Sequence, residues 1–468
     1  MTDVTTRTGD PAAGSSAAQQ HAAAVEAIRR AYAAIPAGQP VRLAKTTSNL
    51  FRFRADAAGH QLDAAPFSRV ICVDPQTQTA RVGGTTTYED LVAATLRHGL
   101  MPLVVPELKT ITLGGAVSGL GVESTSLRNG LPHESVIALE ILTGDGRVVT
   151  ATKQNEHAAL YRGFPNSYGT LGYTLSLTIE LQPVRPYVHL RHFAFTDSDE
   201  CFAAVAQVAA DGSYRGHRAD FIDGTAFGPA EMYLSIGAFS DVAPWRSDYT
   251  RDRIYYQSIR GPKEDFLTVA DYLWRWDTDW FWCSRAFGVQ HRAVRALWPR
   301  RYRRSDVYRK LVALDRKHGV TSRVDARLGR PQREMVVQDV EIPVDQSAPF
   351  LRYFLADVGM SPVWMCPLRL RGDASWPLYP MRPGQVYVNF GFWGTVGLPP
   401  GAADGHFNRR IEDKVAELGG HKGLYSTAFY SREEFWARYN GEQYAQLKSA
   451  YDGKGRLADL YDKCVRGV

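Results

Sequence analysis

Pro106-Glu-Leu-Lys-Thr-Ile-Thr-Leu-Gly-Gly-Ala-Val-Ser-Gly-Leu-Gly-Val-Glu-Ser-Thr-Ser-Leu-Arg-Asn-Gly130 sets Gly114, Gly115, Gly119, Gly121 and Gly130 among hydroxyl side chains, just after the apolar run Met101 to Val105. Glycines let backbone N–H groups approach a ligand without Cβ obstruction, and Thr110, Thr112, Ser118, Ser124 and Ser126 add hydroxyl donors. The stretch reads as a cradle for a diphosphate. It is not the Rossmann fingerprint, because Ser124 stands where the third glycine belongs and no helix is signalled there. Walker A is excluded as well, since no Lys-Ser or Lys-Thr follows these glycines. The bland alternative is a glycine-rich turn between strands, and the coincidence of glycines with hydroxyls favours the cofactor.

Around this stretch, the 468 residues are too many for one ordinary core and point to two or three domains. Cys72, Cys201, Cys283, Cys366 and Cys464 are scattered and never form a C-x-x-C pair, which argues for a reducing compartment and against a disulfide framework or structural zinc. Residues 1–17 are small and polar and read as a disordered lead-in without the layout of a signal peptide. No apolar run reaches the length of a membrane span. A cytoplasmic protein is expected, with attachment to the inner face of the membrane left open.

The alanine-rich segment from 18 to 35 predicts a helix ended by Pro36 and Gly38. Lys45, Thr46, Thr47, Ser48 and Asn49, between two apolar edges, suggest a second phosphate-facing turn. Short strands are expected at 69–74, 79–83, 101–105, 136–142 and 147–151, with Thr143-Gly-Asp-Gly146 as a hairpin turn. Thr87 is placed to cap a helix over 88–98. Ser167-Tyr-Gly-Thr-Leu-Gly172 leads into a strand ending at Leu181. This is an α+β pattern without the βαβ rhythm of a doubly wound sheet.

Pro183 and Pro186 mark a domain boundary near 185, after which Tyr272–Trp282 carries Trp274, Trp276, Trp280 and Trp282. Such a cluster is either packed core or the apolar wall of a pocket for a large hydrophobic substrate. From Trp298 to Gly319, eight Lys/Arg stand against two Asp, a surplus equal to the whole-chain net charge of +6. A solvated helix face is the usual meaning of such a run. Its aromatics favour an anionic membrane surface over nucleic acid. Near the end, Ser431 and Glu434 form a capping box for a helix over 431–439.

Thr112-x-Gly114-Gly115, Gly119-x-Gly121, Gly130, the Glu140 to Gly146 hairpin and Gly169-Thr170-Leu-Gly172 resemble the FAD-binding domain of the vanillyl-alcohol-oxidase, or PCMH, type. Pro106-Glu-Leu108, Gly121-Val-Glu-Ser124, Trp364-x-Cys-Pro367 and Arg432-Glu-Glu-Phe-Trp436 are similar to the flavoprotein Δ24-sterol reductases. VRLAKTTSNLFR, YEDLVAATL, WRWDTDWFWCSRAFG and HKGLYS look most like the actinobacterial reductases that turn a 10-methylene acyl chain into a 10-methyl chain in tuberculostearic acid synthesis.

The resemblance implies a two-lobed FAD domain over 18–185, a mixed α/β substrate or cap domain over 186–430, and a C-terminal segment over 431–468 packing back on the FAD domain. It implies FAD as cofactor, noncovalent because Lys45 to Asn49 include no histidine, and NADPH as co-substrate. The implied substrate is a lipid supplied by a methyltransferase, and nucleic acid is not an expected partner. Besides the glycines and hydroxyls of the cradle, Lys45 to Asn49, Gly169, Thr170 and Gly172 are the implied cofactor contacts. Glu123, His133 and Tyr168 are the candidate proton donors. A Δ24-sterol reductase, an FAD-linked alcohol or sugar oxidase, and a lipid-binding protein with a vestigial flavin site are the rival readings.

Overall fold

Tyr173–Pro183 is the strand around which the N-terminal half of the computed structural model is built. Leu175, Leu177, Ile179 and Leu181 alternate into the core, as the two-residue period of a half-covered strand requires. It pairs antiparallel with Thr79–Gly83 on one side and Val136–Leu142 on the other. The sheet runs Val70–Asp74, Thr79–Gly83, Tyr173–Pro183, Val136–Leu142, Val148–Thr152, with Leu100–Pro102 alongside the end of the central strand. The structure describes residues 11–45, 51–52, 59–251, 253–318, 323, 327 and 331–467.

A parallel pair, Val41–Ala44 with His60–Asp63, stands apart from this sheet. Helix Pro11–Ala33 covers it, and Ile28 and Tyr32 join Val41, Leu62, Phe67, Leu142 and Leu175 in one small core. The hairpin read from Thr143 to Gly146 joins Val136–Leu142 to Val148–Thr152, with Gly146 at φ +88°. Thr87 caps helix Tyr88–Leu96 by accepting from the Asp90 amide.

The chain crosses Val184–Pro186 and enters a second, eight-stranded antiparallel sheet. Its order is Glu264–Thr268, Tyr187–Phe195, Glu231–Ser240, Phe221–Gly228, Val363–Leu368, Tyr387–Gly397, Arg333–Pro343, His421–Lys422. One face packs on helices Ser198–Asp211, Ser347–Tyr353 and His406–Glu417, burying Val336, Val340, Met365, Phe390 and Phe392. The other face joins the core of the N-terminal half, through Trp364, Cys366, Leu368 and Tyr387. The fold is α+β, and the two sheets meet across a shared interior.

The last helices, Arg432–Arg438 and Gly441–Asp452, return to the N-terminal half. Asp145 N donates to Tyr451 O, Val41 N to Arg456 O, and Lys463 Nζ to Tyr168 O. Ser431 and Glu434 form both bonds of the capping box. Among the described residues, no helix is long and apolar enough to cross a membrane.

Candidate active site

Residues Leu113–Gly119, expected as a loop, form a short helix capped by Thr112, whose hydroxyl accepts from Gly115 N at 3.3 Å. Leu113, Gly114, Ala116 and Val117 are buried, whereas Thr112, Gly115, Ser118 and then Gly121 remain half-buried at three-residue spacing. One helix face is therefore an open strip of small and hydroxyl-bearing residues in an otherwise buried segment. Gly114 serves the protein itself: its amide donates to Gly84 O at 2.9 Å, and a Cβ there would stand 2.5 Å from that oxygen. Ser118 Oγ donates back to Gly114 O at 2.8 Å, and Thr110 lies half-buried on the approach. The hydroxyls read as ligand donors thus bind the chain as well.

Tyr168 closes one end of the strip. It adopts φ +50°, donates its amide to Ser118 O at 2.8 Å and its hydroxyl to Gly119 O at 2.5 Å. A Cβ on Gly119 would stand 3.0 Å from its ring. The Arg52 guanidinium lies 4.6 Å from the ring centroid, so one cationic group flanks this end. Gly169, at φ +77°, is half-buried beside it, whereas Thr170 is buried and donates to Ser167 O at 2.7 Å. Gly172 has a packing reason, since a Cβ would meet Ile141 at 2.5 Å. Lys45 is exposed at the end of Val41–Ala44; Thr46, Thr47, Ser48 and Asn49 lie outside the described residues.

Ser124 and Glu123 lie in a different environment, against the second sheet and Tyr272–Trp276. Ser124 Oγ donates to Glu123 and meets the Tyr272 hydroxyl at 2.8 Å, while Ser124 O accepts from Ile222 N. Arg275 pairs with Asp223 at 2.7 Å and Glu123 at 3.5 Å, and Trp276 and Trp364 donate their indole N–H groups to Asp223. Burial, and then the charge of Glu123, hold the Glu107 carboxyl well above the usual range. Neither Glu107 Oε1 nor Glu123 Oε2 has a donor among the described residues, and a proton shared between them satisfies both. Three carboxyl groups and one guanidinium thus tie the two halves together.

Gly130, at φ +72°, ends helix Ser126–Asn129 and sits on the Glu134 carboxylate, which accepts from Leu131 N and Arg371 N. His133 stands 4.3 Å edge-on to Trp376, and among the described residues neither ring nitrogen has a partner. Burial lowers its pKa to about 3, so the ring is neutral at pH 7. Tyr168 keeps its phenol proton, because burial raises its pKa well above the ordinary value.

Trp364 and Trp393 of the second sheet pack with Phe281 and Trp282 in an aromatic cluster. Trp393 lies 4.2 Å from Phe281, 5.4 Å from Trp282 and 6.3 Å from Trp364. Phe51 bridges Trp280 and Tyr425 at 5.8 and 6.1 Å. Trp280 and Phe281 both have positive φ, +47° and +58°, an uncommon strain for bulky residues that is concentrated at functional sites. The tryptophan-rich segment is packed core, with Trp276, Trp280, Phe281 and Trp282 all buried. Asp339, Glu341 and Asn389 lie on the same sheet face, and Asn389 donates to Asp339 at 3.1 Å.

Sequence reading missed Asp339, Asn389, Asp223 and Arg275, whose partners lie far away along the chain. The one local signal was Gln338-Asp-Val-Glu341, polar residues inside a strand buried on both faces.

The strip is a run of half-buried small and hydroxyl-bearing residues with one guanidinium beside Tyr168 at its end, a composition that suits the phosphates of a cofactor. Residues 16–152 match the family described as "FAD binding domain". The class these features define is an FAD-binding oxidoreductase. Along most of its length the chain is similar to Δ24-sterol reductases. That of Arabidopsis thaliana is 24% identical over 443 residues, covering 87% of this chain and 77% of the relative. That of Homo sapiens is 24% identical over 428 residues, covering 85% and 76%. The enzyme of Pisum sativum is 23% identical over 447 residues, covering 87% and 76%.

Proposed function

We propose that this chain reduces an isolated C=C bond of a lipid at the expense of NADPH, its substrate being a 10-methylene fatty acyl chain and its product the 10-methyl chain. The observation that carries this reading is the similarity to Δ24-sterol reductases over most of the chain, together with its FAD-binding match and the aromatic wall formed by Trp280, Phe281, Trp282, Trp364 and Trp393. Thr112, Gly115, Ser118, Gly119 and Gly121 would hold the FAD diphosphate, and Tyr168 with Arg52 would flank the ring system. When bound and reduced by NADPH, FAD would supply a hydride to the alkene and be left oxidised. The wall excludes water and aligns an apolar chain, which an alkene without an activating carbonyl demands.

The lipid would arrive through the surface around Leu297 and Tyr302, 86% and 42% exposed beside Arg300 and Arg301. An anionic membrane matches that combination of charge and apolar area. A methylene-forming methyltransferase is the reaction that supplies the substrate. A Δ24-sterol is the second reading, favoured by the names of the relatives. NADPH oxidation measured with the methylene lipid, a Δ24-sterol and a simple alcohol separates the readings. Turnover with the lipid supports the proposal; turnover only with the sterol, or peroxide formation from the alcohol without NADPH oxidation, overturns it.

A further inference from the structure

Strand Arg333–Pro343 turns Val336, Val340 and Ile342 into the helix-covered core and places Asp339 and Glu341 on the opposite face, toward Tyr168 and the glycine strip. Asp339 keeps accessible surface, whereas Glu341, Asn389 and Gly391 beside it are buried. Its carboxyl accepts from Asn389 Nδ2 at 3.1 Å and from the Tyr425 hydroxyl, which in turn accepts from Trp393 Nε1 at 3.0 Å. A Cβ on Gly391 would stand 2.6 Å from Asp339 Oδ1, so only glycine admits the carboxyl in this position. Among the described residues, no cationic side chain forms an ion pair with it.

We propose that Asp339 is the catalytic acid of the alkene reduction, giving its proton to the unsubstituted alkene carbon while Asn389 and Tyr425 position its carboxyl; this rests on the C=C reductase reading above. The O–H bond of Asp339 breaks, and the alkene π pair forms the new C–H bond, leaving cation character at the substituted carbon. Reduced flavin, when bound, would supply the hydride that closes that carbon with its own electron pair. The alkene gains two electrons and two hydrogens, the flavin loses two electrons, and the aspartate regains its proton from solvent. The carboxylate left behind and the faces of Trp393 and Phe281 stabilise the transient positive charge.

The other acids suit this task less. Glu123 is sealed with Arg275 and Glu107, His133 is neutral at pH 7, and the Tyr168 proton is committed to Gly119 O. Burial pushes the Asp339 carboxyl up to about 7, against the lowering effect of Asn389 and Tyr425, so it is part protonated at neutral pH. The titratable and charged groups facing it are Glu341 on its own strand, Tyr425 beyond His421–Lys422, and Tyr168 with Arg52 from the N-terminal half. Lys422 is turned away to Glu412.

The test uses the FAD-loaded protein, reduced anaerobically with dithionite and mixed with vesicles containing 10-methylene lipid. In Asp339→Asn, reoxidation of the flavin by the lipid should slow by about a hundredfold or more, the range of general-acid catalysis. FAD affinity and reduction of the flavin by NADPH should stay as in the wild type. Asp339→Glu should restore part of the rate. Independently of turnover, infrared difference spectra of the wild type between pH 6 and 8 should show a protonated carboxyl band, absent in Asp339→Asn. Wild-type turnover with an equally active Asp339→Asn overturns the proposal alone. Wild-type failure to reduce the lipid overturns the functional reading and the proposal with it. If Asp339→Asn does not fold, a wild type lacking the carboxyl band, or an Asp339→Glu variant with an unshifted pH profile, overturns it.

Discussion

The Tyr168 hydroxyl donates to the carbonyl of Gly119 at 2.5 Å, and its ring occupies the space that a side chain at position 119 would need. Gly119→Ala must push the ring by a few tenths of an ångström, because the new Cβ stands 3.0 Å from it. We expect FAD affinity to fall about tenfold, near 1.4 kcal/mol. Tyr168→Phe keeps the ring and loses one hydrogen bond, worth about 1 kcal/mol. Titration of flavin fluorescence measures both, and unchanged affinity in Gly119→Ala would contradict the placement of FAD along the strip.

Among the described residues, Arg275 is the one guanidinium paired with both Asp223 and Glu123. Arg275→Met leaves buried carboxylates without a counter-charge and should cost about 3–5 kcal/mol. Asp223→Asn should cost less, because its amide oxygen still accepts from Trp276 and Trp364. Thermal unfolding orders the two variants, and a milder effect for Arg275→Met would show that the network is not what joins the halves.

His133 binds a proton near pH 6.5 when unfolded and near pH 3 when folded. The unfolded state therefore binds more protons below pH 6.5, and stability is lost as pH falls through that window. Replacing the ring by Phe removes this loss, about 2 kcal/mol between pH 6.5 and 5. Urea unfolding at the two pH values compares wild type with His133→Phe. Parallel pH dependence would contradict the neutral, buried ring.

Within the basic run, Arg304 is held by Glu89 at 2.8 and 3.0 Å and Arg303 by backbone carbonyls, so these charges serve the fold. Arg300 and Arg301 remain exposed beside Leu297. Replacing both arginines by Glu should weaken sedimentation with phosphatidylglycerol vesicles several-fold, and added salt should weaken the wild type similarly. Undiminished binding at low salt would place any membrane contact elsewhere.

How far the sequence reaches is clearest in these residues. The hairpin at Thr143–Gly146, the Thr87 cap and the Ser431–Glu434 box were legible because each depends on neighbours a few residues away. The glycine strip was legible as small, hydroxyl-rich chain but not as a helix, since the contact of Gly114 with Gly84 depends on tertiary packing. Ser124 and Gly130 share the composition of the strip, yet partners on the second sheet and at Glu134 decide their places. Asp339 and Asn389 are 50 residues apart, and the register of two long strands brings them together.

Reduction of the methylene chain by this protein is tested by a single anaerobic turnover of the FAD-loaded, dithionite-reduced protein with 10-methylene lipid, followed by flavin absorbance and by mass spectrometry of the acyl chains. Return of the oxidised flavin spectrum, with one 10-methyl chain heavier by two hydrogens formed per flavin, is the predicted result. Reduced flavin that persists with the methylene chain intact, or is reoxidised only by a Δ24-sterol, would contradict it.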